Sequence, residues 1–398
     1  RQLDALIQKV QAFSKEKMKC SQQLDNLIRA CIELISPHTP QWEMAAARFM
    51  MIKLRRSVSQ RMQQQGIRTL AQKLLYLESQ GLINASLAEH YSYNDLNRLE
   101  QAIDYDRDQL FNASGLELLI KRYLIRNHQG EVLELPQEMF MGIAMHLAIP
   151  EGKKRVEWAI KIYDVLSQLK VTMATPTLAN ARKPKAQLAS CFIDVVADSL
   201  KGIYKSLDSF AQISKQGGGM GLYFGKVRAS GSDIRGFQGA AGGVLRWIRL
   251  VNDTAVAVDQ LGVRQGAVAV YLDCWHRDLP EFLQIRTNNG DDRMKAHDVF
   301  PAVCYPDLFW RMAKENLDQN WYLLDPHQIQ QVKGYALEGC TGELWEQRYQ
   351  ECIADPRIEK RVILLKDLVR LILKSAAETG TPFVFNRDLV NAMNPNPH

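Results

Sequence analysis

Three glycine- and arginine-bearing stretches and one cysteine carry the residue types that chemistry needs. The first stretch, Lys215-Gln216-Gly217-Gly218-Gly219-Met220-Gly221, packs four glycines into five residues. A backbone stripped of side chains can take positive φ angles and bring its N–H groups against a ligand. It follows a helical pattern and precedes a strand-like one. A P-loop and a dinucleotide-binding turn both need the strand first, and the Gly-Lys-Ser/Thr ending of a P-loop is absent. A tight turn inside a barrel explains the same glycines without a ligand. In the second stretch, Lys226-Val227-Arg228-Ala229-Ser230-Gly231-Ser232-Asp233-Ile234-Arg235-Gly236, two guanidinium groups flank small residues. Such a loop suits bidentate phosphate binding, or is a solvated surface turn. The third, Asp259 to Gly266, holds Gln260 and Arg264 and could equally be a connector. The cysteine is Cys191, in Leu188-Ala189-Ser190-Cys191-Phe192. A thiol can give up a proton and afterwards, as thiolate, form a disulfide, which a serine cannot. Taken alone, a cysteine in an apolar run reads first as an inert packing residue.

These groups must be held by the elements around them. Residues 1 to about 150 read as helical, with apolar steps of three and four at Leu3, Ile7, Val10 and Phe13 and again at Leu24, Leu27, Ile28, Cys31 and Leu34. Further helices are expected over Trp42–Val58, Asp95–Ile103, Gly115–Leu124 and from Pro136 through Met145. From 151 to 398 the texture is α/β. Apolar runs at Leu188–Val196, Gly221–Val227, Ala267–Leu272 and Val299–Tyr305 alternate with helical stretches at Leu200–Ser214, Val244–Val258 and Leu279–Arg286. Trp321–Leu324 adds a strand, and Glu343–Ile353 and Val362–Thr379 read as helices.

Composition bounds the answer. The 398 residues are 46% hydrophobic and 24% charged, which fits a globular chain of two or three domains. The net charge of +6 is too mild to argue for a nucleic-acid binder. No apolar run of about 18 residues is present, so no membrane span is expected. Seven scattered cysteines form no Cys-x-x-Cys pair. That points to neither a zinc site nor a disulfide framework, and to a reducing cytoplasmic setting.

Order adds what spacing does not. Met173-Ala174-Thr175-Pro176-Thr177-Leu178 is followed by Ser190-Cys191-Phe192, Asp198-Ser199-Leu200, the glycine loop and the two arginine loops. Then come Tyr271-Leu272-Asp273-Cys274-Trp275-His276 and Tyr305-Pro306-Asp307-Leu308-Phe309, with Ile103-Asp104-Tyr105-Asp106-Arg107-Asp108 upstream. From about residue 40 onward this succession resembles the catalytic (alpha) subunit of ribonucleotide reductases, the aerobic class I type in particular. The resemblance implies a helical N-terminal domain over 1–150. Over 151–398 it implies the first half of a ten-stranded α/β barrel built from two five-stranded halves.

In this family a barrel cysteine becomes a thiyl radical that takes the 3′ hydrogen of a ribonucleotide, and two further cysteines supply the reducing electrons. By resemblance Cys191 is the first of that reducing pair, and Thr175, Ser190, Gly218, Gly219 and Arg264 contact the substrate. Asp198, Ser199, Leu200, Arg228, Arg235 and Gln260 bind a deoxynucleotide or ATP effector, with Gln260 and Arg264 relaying base identity. The remaining cysteines, Cys20, Cys31, Cys274, Cys304, Cys340 and Cys352, read as packing residues, and His276 as structural.

The resemblance further implies a homodimer through helices near Leu200–Ser214 and Val244–Val258. It implies a metal-bearing beta subunit as radical source, with adenosylcobalamin as the alternative, and a thioredoxin- or glutaredoxin-type reductant. No cofactor or metal is expected on this chain itself. The family's radical-bearing Asn-x-Cys-x-Glu motif would follow Thr381–Asp388 and is not in the sequence. A C-terminal segment or partner polypeptide, from a split gene, an intein or a truncation, is therefore expected to complete the barrel. A half-barrel alone should leave strand edges and an apolar interior uncovered. No Val-x-Lys-Arg cone sequence precedes residue 40. The competing expectation is a non-catalytic, nucleotide-binding regulatory half-subunit.

Overall fold

The computed structural model describes residues 2–15, 17–184, 187–258 and 266–396. Its contacts divide into two compact units, Arg1–Ala189 and Ser190–His398.

The first unit is helical. Its longest helix, Trp42–Gln64, buries Ala46, Ala47, Met51, Leu54, Val58 and Met62 in steps that return to one face. Pro136–Ala148 is apolar almost all round and correspondingly central, with Met139, Met141, Ile143, Ala144 and Met145 fully buried. Pro136 opens that helix, where a missing N–H costs nothing. Side-chain caps from Thr69, Ser92 and Asn112 start three others. The texture change expected near 151 does not coincide with the division of contacts. Helix Arg155–Ser167 packs along Pro136–Ala148, so the helical unit continues to Ala189.

The second unit is built on a five-stranded parallel sheet. Its strands are β1 (Cys191–Val195), β2 (Gly219–Tyr223), β3 (Val268–Asp273), β4 (Val299–Tyr305) and β7 (Phe383–Asn386), in the order β1-β2-β3-β4-β7. This is the half-barrel expected from the sequence. A separate antiparallel pair joins β5 (Asn320–Leu323) to β6 (Arg361–Leu364). Strand alternation separates two faces. Phe192, Met220, Leu222, Val268, Val270, Val299 and Val303 pack into the main core, together with residues of helices Leu200–Lys215 and Gly243–Ala257. The opposite face carries Cys191, Ile193 and Val195 of β1, Gly219, Gly221 and Tyr223 of β2, and Tyr271, Phe300, Cys304, Phe383 and Phe385 farther along. Its rim is uncovered, with Ile193 91% exposed and Phe383 48%, while Tyr271 and Phe385 are half-buried and Cys304 is buried. β6 and β7 were not legible as strands. Val362 reads as the start of a helix, yet the helix begins at Leu365, after the pairing of Val362 with Tyr322.

Candidate active and effector sites

Cys191 opens β1, and its Cα pairs with that of Gly219. Gly219 N donates to Ser190 O at 2.7 Å, which locks the glycine turn to the cysteine's own strand. The thiol is exposed and lies 3.5 Å from Ser190 Oγ. The neighbouring glycines have different reasons to be glycine. Gly217 takes φ +90°, the left-handed conformation its turn requires. A Cβ on Gly218 would sit 2.7 Å from both Ile213 Cγ2 and Phe192 Cε2, so packing on the helix-covered face forbids a side chain there. A Cβ on Gly219 would meet only backbone oxygens, at 3.5 and 3.6 Å. The protein itself tolerates a side chain at 219, so its absence keeps the space beside Cys191 clear.

Two strands over, Tyr271 lies across Gly221, where a Cβ would come within 3.3 Å of its ring. Burial, then the Cys304 and Cys191 thiols, raise its phenol pKa. Ile193, Val195, Gly221, Tyr271, Cys304 and Phe385 line a 570 Å³ cavity on this open face. At its edge is a polar cluster that sequence reasoning missed. Tyr223 Oη donates to Asp273, which also pairs with Arg387 Nη1 at 3.0 Å, while Arg387 Nη2 donates to the Glu338 carbonyl. Burial and the Asp273 charge push the Tyr223 phenol and the Cys304 thiol well up. Burial also raises Glu338, whose Oε2 has no partner among the described residues. Asp273 and Arg387 are 114 positions apart, and no local pattern links them.

Thr175 belongs to the helical unit, at the start of helix Thr175–Asn180. Its Oγ1 lies 3.1 Å from Tyr123 Oη. In the same helix Thr177 Oγ1 donates to Leu188 O at 3.2 Å and Asn180 Nδ2 to Gln187 O at 3.0 Å.

Of the expected effector residues, Asp198, Ser199 and Leu200 follow the far end of β1, and Arg228 meets Asp198 there. Ser199 caps helix Leu200–Lys215 by accepting from Gly202 N, and Leu200 is exposed. Asp198 and Arg228 form an ion pair, with Nε and Nη2 each 2.9 Å from Oδ2 and Arg228 N 3.2 Å from Oδ1. His327 Nδ1 stands 3.5 Å from the same carboxylate. Arg235 is exposed at the loop tip with φ +54°. Gln260 and Arg264 lie outside the described residues. What holds the arginine loop was not foreseen: two buried aspartates. Asp325 accepts from Ala229 N at 3.0 Å and from Ser232 Oγ, and Asp278 accepts from Ser230 N and Val244 N. His276, fully buried, bonds Val227 O through Nε2 at 2.9 Å and accepts from Asp278 N, the structural role expected of it. In sequence, Asp325 and Asp278 show only as polar residues just before Pro326 and Leu279-Pro280, a helix-start signal. Among the other cysteines, Cys31, Cys274, Cys304, Cys340 and Cys352 are buried, whereas Cys20 is exposed and accepts from Arg56 rather than packing.

The arrangement defines a class: a helical domain joined to half of an α/β barrel, with a free thiol beside a glycine turn. Comparison with known proteins names it. The family model for the ribonucleotide reductase barrel domain matches residues 189–398, and that for the ribonucleotide reductase all-alpha domain matches 109–186. The "Ribonucleoside-diphosphate reductase subunit alpha" of Treponema pallidum is 57% identical over 396 residues, all of this chain and 47% of that protein. The protein of the same name in Helicobacter pylori (strain ATCC 700392 / 26695) is 40% identical over 384 residues, 96% of this chain and 47% of that protein. The "Ribonucleoside-diphosphate reductase large subunit" of Plasmodium falciparum is 37% identical over 74% of this chain and 35% of its own length. The chain belongs to the ribonucleotide reductase large-subunit family, and it spans about half the length of the first two of these relatives. Among the described residues no helix is long and apolar enough to cross a membrane.

Proposed function

We propose that this chain forms the N-terminal part of a ribonucleoside-diphosphate reductase alpha subunit, with Cys191 as one of the two thiols that reduce the substrate. The observation that carries this reading is the register of Cys191 against Gly219 on the uncovered face of the half-barrel. An exposed thiol beside a cleared backbone can approach a ribose, which a buried packing cysteine could not.

In this reading the Cys191 S–H gives its proton to the departing 2′ hydroxyl, which leaves as water. The resulting thiolate then bonds the sulfur of a second cysteine as that S–H breaks, and the electron pair and proton so released put a hydrogen on the sugar in place of the departed hydroxyl. The cysteine that carries the thiyl radical and the second reducing thiol belong to the polypeptide that completes the barrel. An external thioredoxin- or glutaredoxin-type dithiol returns the pair to the reduced state. The exposed apolar face, Ile193 and Phe383 included, is what that completing segment would cover. The proposed substrate contacts are Thr175, Ser190, Gly218, Gly219 and Arg264; of the two glycines Gly219 has the open side.

The proposed effector, a deoxynucleoside triphosphate or ATP, is held by Asp198, Ser199, Leu200, Arg228, Arg235 and Gln260. Asp198 holds Arg228 through Nε and Nη2 while Nη1 donates to Asp233 O, which fixes the guanidinium at the proposed phosphate site. Dimerisation is assigned to helices Leu200–Lys215 and Gly243–Ala257. They pack through Tyr204 and Trp247 and leave Leu200, Tyr204 and Val256 exposed. The radical source is a separate metal-bearing beta subunit in this reading, with adenosylcobalamin as the variant. A regulatory half-subunit without catalysis is the second reading, favoured by the preformed Asp198–Arg228 pair.

The test is effector-dependent reduction of a ribonucleoside diphosphate by the complete subunit with its radical source and a dithiol. The first reading requires activity that Cys191→Ser abolishes. Nucleotide binding with no turnover in the complete set supports the second, and undiminished turnover in Cys191→Ser overturns the first.

A further inference from the structure

Tyr123 and Thr175 are 52 positions apart and meet hydroxyl to hydroxyl at 3.1 Å. Both line a 690 Å³ cavity whose remaining wall is mostly apolar, with Phe111, Leu119, Phe140 and Met173 among its residues. The pair is held from behind by one cation. Arg182 Nη2 donates to Tyr123 O and to Leu178 O, each at 3.1 Å, and Leu178 lies in the short helix that begins at Thr175. Its Nη1 pairs with Glu134, whose Oε1 also accepts from Ile125 N at 2.7 Å. The Arg182 and Glu134 side chains are 3% and 5% exposed. Gly142 lets the arginine pass, since a Cβ there would be 2.8 Å from Arg182 Cδ. One buried guanidinium therefore fixes both the segment that carries the phenol and the segment that carries the threonine.

Either hydroxyl can be the donor in this contact, and a phosphoryl group bound to Thr175 would decide between them. A threonine hydroxyl has one proton and two lone pairs, and a phosphoryl oxygen can only accept. Thr175 can donate to such an oxygen only if the contact to Tyr123 uses one of its lone pairs, so the phenol must be the donor. We propose that Tyr123 is a positioning residue for substrate binding: its O–H donates to Thr175 Oγ1 and leaves the threonine proton directed at a phosphoryl oxygen of the ribonucleotide. The proposal rests on Thr175 being a substrate contact.

The experiment measures ribonucleoside diphosphate affinity, KM and kcat in the complete subunit for Tyr123→Phe, Thr175→Val, Thr175→Ser and the Tyr123→Phe/Thr175→Val double variant, with a thermal melt of each. Tyr123→Phe should weaken binding and raise KM about 3–10-fold, the effect of one well-placed hydrogen bond. Its kcat and melting temperature should stay unchanged. Thr175→Ser, which keeps the hydroxyl, should bind as the wild type does and still respond to Tyr123→Phe. In the Thr175→Val background Tyr123→Phe should cost nothing more. Wild-type affinity in Tyr123→Phe while Thr175→Val weakens binding overturns the proposal. So do additive losses in the double variant, or a lowered melting temperature with intact affinity. Wild-type affinity in Thr175→Val overturns the assignment of Thr175 itself, a failure distinct from that of Tyr123.

Discussion

Arg182→Met removes the cation that the helical unit is arranged around, and the structure sets the size of the effect. Arg182 makes three interactions, to Glu134, Tyr123 O and Leu178 O, all out of solvent. Without it the Glu134 carboxylate keeps Ile125 N as a donor, and two buried carbonyls lose a partner. Breaking a buried ion pair from one side typically costs about 3–5 kcal/mol, most of it the desolvation of the charge left behind. For a unit of this length that corresponds to a fall of roughly 6–20 °C in Tm. Replacing both partners, as Glu134→Leu with Arg182→Met, removes the stranded charge. It should recover at least about 2 kcal/mol of the loss, because a well-packed apolar pair of similar volume is often neutral. The assay is urea unfolding of wild type, single and double variants, followed by far-ultraviolet circular dichroism. A single variant within about 1 kcal/mol of wild type, or a double variant as unstable as the single, would refute the reasoning.

Three further outcomes follow from the second unit. Asp325→Ala frees Ala229 N and Ser232 Oγ together, so amide exchange over residues 228–236 should quicken by at least about tenfold, and protection equal to wild type would contradict the pinning role. Gly218→Ala should cost about 1–3 kcal/mol by overpacking against Ile213 and Phe192, whereas Gly219→Ala should leave stability nearly unchanged. Equal costs in chemical denaturation would void that distinction. Glu338 is raised above its ordinary 4.5 by burial, so the folded state holds its proton more tightly than the unfolded chain does. Its stabilising contribution is complete below pH 4.5 and is lost as pH rises through the higher folded value. Glu338→Gln should flatten that decline in a pH series of unfolding free energies, and identical slopes in variant and wild type would sink the argument.

Much of the architecture was readable because it rests on local pattern. Val299–Tyr305 is an apolar run buried everywhere but at Phe300, and it is a strand at those residues. The four glycines after a helix marked a close-approach turn; two of them, Gly219 and Gly221, lie within β2 and pair with β1. The sequence did not separate the glycine required by packing, Gly218, from the one that clears space, Gly219, because that depends on which face each presents. Nor could it show which distant carboxylates serve the arginine loop. Asp325 reaches Ala229 across 96 positions and Asp278 reaches Ser230 across 48. The same holds for Arg182 with Glu134 and Arg387 with Asp273: each partner is an ordinary charged residue until the fold buries it. β7 was hidden for another reason. Its side chains on the uncovered face are aromatic, and its order comes from the β4 ladder and from the Phe300–Phe383 stack rather than from its own four residues.

The most direct measurement is substrate protection of Cys191 in the complete subunit, by timed alkylation with iodoacetamide and peptide mapping. Cys191, exposed, should label readily, while Cys274 and Cys304, buried and with raised thiol pKa, should not. A ribonucleoside diphosphate at ten times its Kd should slow Cys191 labelling about tenfold and leave exposed Cys20 unaffected. A Cys191 labelling rate indifferent to saturating substrate would contradict the placement of this thiol at the ribose.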